Sequence, residues 1–205
     1  MLLVELQRMA SHLLFQATNG MDIGALSMMI YGWREREEVL RFFQKVTGLR
    51  MNHNFIRPGG VAADLPEGWR DDVLHLLDSI PPRLEEYDIL MTGQPIWRDR
   101  LQGVGVITQE EAMALGATGP ILRSTGVPRD LRKDTPYLAY AELDFEVPVG
   151  IKGDNYDRYY VRMREMDESV HMIRQLMDML PAGPINVDDR RCVFPESGWS
   201  TTKSS

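Results

Sequence analysis

The feature that most constrains this chain is its amino-terminal stretch Leu2 to about Met29, a long apolar helix pattern that carries charge inside it. Leu3, Leu6, Met9, Ala10, Leu13, Leu14, Ala17, Met21, Ala25, Met28 and Met29 recur at three- and four-residue steps, as a helix packed on several sides requires. Arg8, His12 and Gln16 share another face at i, i+4 and i+8 with Glu5 beside them, so a polar row runs along an otherwise apolar rod. Asp22 sits between Met21 and Ile23, bracketed by Gly20 and Gly24. If the helix is unbroken, ten residues at about 1.5 Å rise place His12 and Asp22 roughly 15 Å and about 80° apart, in two separate surroundings. Each has two open readings: His12 is a satisfied core group or a functional one, and Asp22 is a helix cap or a buried carboxylate with raised proton affinity.

A chain of 205 residues that is 43% hydrophobic is long and apolar enough for a substantial core. Its formal net charge of −7, with both signs interspersed, shows no concentrated basic face and so no nucleic-acid partner. The single Cys192 excludes an intrachain disulfide, a paired-cysteine metal knuckle and a self-contained iron–sulfur site. The apolar stretches are broken by charge, so none reads as a transmembrane span, and the amino terminus lacks a signal peptide's basic region. A cytosolic or cytosol-facing protein is expected. The 13 methionines suit either a helical core or a cavity for a greasy ligand.

A second helix is expected over Tyr31–Arg50, beginning at Gly32, burying Trp33, Val39, Leu40, Phe42, Phe43 and Val46, exposing Arg34 to Glu38, and capped by Gly48. Met51–Trp69 is a loop in which Gly59-Gly60 allow close backbone approach, and in which His53 and Arg57 are partner contacts or loop stabilisers. A third helix from about Glu67 is expected to kink or break at Pro81-Pro82 before continuing to Leu90. A brief helix follows in IWRDRLQ, a short strand or extended piece at Gly103–Ile107, and a helix after a Thr108/Glu111 capping box stopped by Gly116. Ala117–Gly150 carries Arg123, Arg129, Asp130, Arg132 and Lys133 as a docking surface or a solvated loop, with an extended stretch near Leu143–Val147. The last helix, Tyr156 to Leu180, completes a mainly α bundle with short β pieces, a helical core over 1–180, and a polar, irregular tail over 181–205.

ELQRMASHLL, MDIGAL, the REREEVL helix, FIRPGGVAADLP, GVGVI, LRSTGV with DLRK, and VRMREMDESV, in this order from about Leu3 to Arg191, resemble the D subunit of proton-pumping NADH:quinone oxidoreductase, respiratory complex I. The resemblance implies a partial fold like that of nickel–iron hydrogenase large subunits. It also implies an internal fragment that lacks the family's upstream quinone-site histidine and tyrosine and departs from the pattern from about Cys192.

On that resemblance the chain helps form the quinone-reduction site and couples electron transfer to proton translocation. His12 matches the histidine beside the terminal 4Fe-4S cluster, which the neighbouring B subunit holds, and is not itself a ligand. Asp22 matches the acid that re-protonates the quinone-ligand histidine. No metal ligand is implied in this chain. NADH is used elsewhere in the complex, quinone binds where the subunits meet, and the chain alone is expected to bind no cofactor and to be inactive. The B and C subunits and the membrane arm are the implied partners, at the cytoplasmic face of the bacterial cell membrane. A membrane-bound nickel–iron hydrogenase large chain and a non-catalytic helical docking scaffold are the alternatives.

Overall fold

The computed structural model describes residues 1–187 and is mainly α, with one two-stranded sheet. Helix α1 spans Leu2–Ile23, six residues short of the expected end. Gly24 adopts φ 99°, its N–H bonds to Met21 O at 3.0 Å, and the Ala25 N–H bonds to Gly20 O at 2.8 Å. That pair of bonds is a Schellman stop, open to glycine because the left-handed conformation costs it nothing.

The chain reverses and α2 spans Ser27–Thr47, ending on Gly48 as expected. Gly32 therefore lies inside α2 rather than at its start. A Cβ there would meet Leu13 O at 2.8 Å and Ala17 Cβ at 2.9 Å, so its missing side chain lets α1 and α2 pack backbone to backbone. Val39, Leu40, Phe42, Phe43 and Val46 are buried as expected, but Trp33 is 37% exposed, whereas Glu35 and Arg36 are buried. Glu35 accepts from the buried Tyr87 hydroxyl, and Arg36 Nη1 donates to Ala10 O at 3.0 Å.

Strands β1 (Ile56–Arg57) and β2 (Gly60–Val61) form an antiparallel hairpin. The close approach expected at Gly59-Gly60 is to the chain's own residues 185–187: Val61 N–H bonds to Ile185 O and Val187 N–H to Gly59 O, at 2.9 and 3.0 Å. A Cβ on Gly60 would lie 2.2 Å from Ile185 O. The irregular tail is thus tied to the hairpin as far as Val187, and its remainder, with Cys192, lies outside the described residues. Within the loop, Arg57 Nε donates to Asn54 O and His53 packs edge-on to Phe43, contacts that stabilise the loop itself.

Helix α3 spans Trp69–Tyr87 and continues through Pro81-Pro82, so of the expected kink or break the break does not occur. A proline removes the N–H that would satisfy the carbonyl four residues back. Here the freed Leu77 O accepts from Arg174 Nη2 at 3.0 Å, so a guanidinium replaces the lost helical bond. A π-helical turn (Asp88–Thr92) follows, then α4 (Pro95–Leu101). Gly103–Ile107 forms no strand; it is pinned through Ile107 N–H to Gly153 O and Val104 O to Asn155 N–H. The Thr108/Glu111 capping box opens α5 (Gln109–Ala114) as expected. Helices α6 (Gly119–Ser124) and α7 (Leu131–Asp134) lead to α8, Asn155–Met179, which Asp154 caps. The core lies between α1, α2, α3 and α8. Met9, Met28, Met91, Met163, Met166 and Met177 are part of it, so these flexible thioethers serve as packing.

Candidate functional site

The polar row of α1 meets α8 in an antiparallel crossing. Glu5 faces Ser169, whose hydroxyl donates to Glu5 Oε2 at 2.8 Å, and His12 faces Glu165, with Nε2 and Oε2 2.7 Å apart. Glu165 is 1% exposed, and it stands on α8 among the buried Val161, Met166 and Val170. Its other oxygen accepts from Arg123 Nε at 2.8 Å, delivered by α6. Arg123 continues to Arg129 O at 3.0 Å and lies 3.8 Å from Asp130 Oδ2.

Asp130 in turn caps α7 and grips Arg132, which donates Nη2–H to Oδ2 at 2.7 Å and Nε–H to Oδ1 at 3.0 Å. The circuit closes where Arg132 Nη1 reaches Glu5 Oε1 at 3.4 Å and the buried Tyr140 hydroxyl donates to the same oxygen. Arg8 flanks both acids of the crossing, 3.3 Å from Glu5 and 3.9 Å from Glu165.

Three carboxylates, Glu5, Asp130 and Glu165, therefore meet three guanidiniums, Arg8, Arg123 and Arg132, in a place almost closed to water. Among these six groups the charges balance with His12 neutral, and Arg162, which also acts on His12 and Glu165, adds a further cation beside them. Adding a proton to His12 would leave an uncompensated buried cation, which a low-dielectric interior resists.

The proton affinities follow. Burial, reinforced by Arg8 and Arg162, outweighs the attraction of Glu165 and pushes the His12 imidazole below its ordinary value. Burial alone would raise Glu165, but the hydrogen bond from His12 and the charge of Arg123 hold it below the usual carboxylate range. Asp130 is likewise held down against its burial by Arg132, and burial and the Glu5 carboxylate raise the Tyr140 phenol. With Glu165 ionised, His12 Nε2 carries the hydrogen and donates it. Such a pair can hold or pass a proton only at the cost of the whole network's balance.

Asp22 is placed differently from either expectation. It is exposed, in the last turn of α1, and makes no hydrogen bond or ion pair among the described residues. It does not cap a helix: it is helical itself, and α2 begins after Leu26. An acid at a helix carboxyl end opposes the dipole, so its presence there does nothing for the helix. Because α1 is continuous through both, His12 and Asp22 are separated along one rod as expected; the structure does not bring them together. The exposed Met21, Leu26 and Ile30 lie near Asp22 in the chain and give this end of the hairpin an apolar surface.

The arginine-rich segment is neither a docking surface nor a solvated loop throughout. Arg123, Asp130 and Arg132 are buried, and Arg129 and Lys133 remain outside. Glu165 is hidden in the alternating charges of VRMREMDESV. Its trace in the sequence is that Glu165 and Ser169, four residues apart, are polar positions on the face defined by Val161, Met166 and Val170. Among the described residues no group of His, Cys, Asp and Glu is placed to hold a metal ion. No described helix is long and apolar enough to cross a membrane.

Comparison with known proteins gives this geometry its family. Residues 22–204 match the family model "Respiratory-chain NADH dehydrogenase, 49 Kd subunit", beginning at Asp22 and including Glu165, Arg123, Asp130 and Arg132. Over 194 residues, 95% of the chain, it is 54% identical to the D subunit of NADH-quinone oxidoreductase from Acidothermus cellulolyticus, of which the match covers 44%. The corresponding D subunits of Frankia alni and Saccharopolyspora erythraea are 49% and 50% identical over the same length, covering 41% and 43% of each. The chain thus spans less than half the length of these relatives. It belongs to the family of the 49 kDa subunit of respiratory-chain NADH dehydrogenase.

Proposed function

We propose that this chain supplies part of the quinone-reduction site of an NADH:quinone oxidoreductase and takes part in coupling electron transfer to proton movement. Membership of the family supports the complex, and the buried, charge-balanced network around Glu165 is the observation that carries the proton-handling role. Asp22 is the proton-supplying acid in this reading. Its exposure at the end of α1 leaves the carboxylate free for a histidine supplied by another part of the assembled protein. His12 is the titratable group on the side of the terminal 4Fe-4S cluster, whose ligands belong to the neighbouring B subunit. Its Nε2 is committed to Glu165, so its effect on the cluster is electrostatic.

Quinone binds at the interface between subunits, with the B and C subunits and the membrane arm as neighbours, peripherally at the cytoplasmic face of the cell membrane. NADH is oxidised on other subunits, and the chain alone holds no cofactor and is inactive.

The test is Asp22→Asn in the intact, assembled complex, which keeps the shape of the side chain and removes its acid. Quinone reduction should slow while NADH oxidation by an artificial acceptor upstream of the quinone stays normal. Equal, near-wild-type rates in both assays remove Asp22 from the proton path. In the same complex, His12→Met should flatten the pH dependence of the cluster's midpoint potential, and an unchanged slope confines His12 to the core.

A further inference from the structure

One turn beyond His12 on α1, Gln16 is 0% exposed, yet neither its Oε1 nor its Nε2 has a hydrogen-bond partner among the described residues. One turn further, Asn19 Nδ2 is also buried and unpartnered among them. A carboxamide shut away from water keeps the full cost of its lost hydrogen bonds unless something replaces them, and buried polar groups in folded proteins are rarely left so. Two such groups on successive turns of one face mark a polar seam that continues the row of Arg8 and His12. The neighbouring element is known from the antiparallel crossing: α8 brings Arg162 against this stretch, its guanidinium 3.8 Å over the Phe15 ring.

We propose that Gln16, with Asn19, binds ordered water, extending the polar line of α1 from the His12–Glu165 pair toward the end that carries Asp22. The chemistry selects water. Each carboxamide offers two donors and a two-lone-pair acceptor, and a water molecule answers both kinds at once. This rests on the geometry of α1 and deepens the proton-handling reading.

The experiment is water–protein cross-relaxation NMR on the full chain with its glutamine and asparagine side chains labelled. The Gln16 side-chain NH2 should show cross-peaks to water with the sign of a long-resident molecule. In Gln16→Leu the water cross-peaks of the neighbouring Asn19 side-chain NH2 should weaken. The absence of a water cross-peak in the unaltered chain overturns the proposal, and this measurement stands even if the variant does not fold. A rise in melting temperature in Gln16→Leu with the Asn19 water cross-peaks unchanged also overturns it, since that is the behaviour of an unhydrated orphan amide. No turnover is read, so failure here leaves the Asp22 assay to decide the proposed function separately.

Discussion

Glu165 Oε2 and His12 Nε2 lie 2.7 Å apart although 153 positions separate them in the chain, and the second Glu165 oxygen is held by Arg123. The carboxylate thus joins α1, α6 and α8 at one point. Removing its charge leaves Arg123 with only the longer Asp130 contact and His12 without its charged acceptor, so Glu165→Gln should destabilise the chain by about 3–5 kcal/mol, the usual cost of breaking a buried pair from one side. Glu37, paired with Arg50 nearer the surface at 33% and 41% side-chain exposure, is the internal control. Glu37→Gln should cost no more than about 1 kcal/mol. Urea unfolding of the two variants measures the contrast, and similar small losses would show that the network adds little to stability.

Tyr140 donates to Glu5 from a fully buried position. In Tyr140→Phe the ring stays and a hydrogen bond to a charged acceptor goes, for a cost of about 1.5–3 kcal/mol. Thermal unfolding reads this directly. A variant as stable as the parent would mean that Ser169 and Arg132 satisfy Glu5 without the phenol.

The network also fixes the sign of the acid response. His12 is lowered in the folded chain, so the unfolded chain binds its proton first. Stability is complete above the ordinary histidine range and falls as pH drops through it toward the folded value. Glu165 and Asp130, also lowered, add stability that is present above the ordinary carboxylate range and is lost as pH falls further, through their folded values. Unfolding free energy measured against pH should therefore decline in two stages on the acid side. His12→Gln should remove the first stage and keep the second; a first stage that survives this change belongs to another group.

Much of this is legible in the sequence for a physical reason, and part is not. The Gly48 stop and the Thr108/Glu111 box depend on a few adjacent residues, so local pattern suffices. The buried row of Glu5, His12 and Gln16 is visible for the same reason, as polar positions at helical spacing in an apolar run. The Leu77 carbonyl freed by Pro81 in α3 is satisfied by Arg174, almost a hundred residues away, and no local rule contains that. The burial of Arg123 and Arg132 is equally non-local: Glu165 on α8 and Glu5 on α1 are their partners, Asp130 is buried with them, and alone the segment has the composition of a solvated loop. Asp22 escapes a sequence reading because the apolar period continues past Gly24 and hides the stop that leaves it exposed.

Gly60 tests the attachment of the chain's 185–187 stretch. Its φ of 156° is one side chains rarely adopt, and a methyl group would collide with Ile185 O at 2.2 Å. Gly60→Ala should therefore separate the hairpin from this stretch, with faster hydrogen exchange at the Val61 and Val187 amides and little change in the α1–α8 core. Unaltered protection at both amides would contradict the contact.

The most direct test of whether His12 is a neutral donor held by Glu165 in a charge-balanced core is a nitrogen-15 NMR titration of the His12 ring in the full chain. The predicted result is one neutral tautomer at neutral pH, with hydrogen on Nε2, and protonation only below the ordinary histidine range. A ring protonated on both nitrogens at neutral pH, or a neutral ring with its hydrogen on Nδ1, would contradict it.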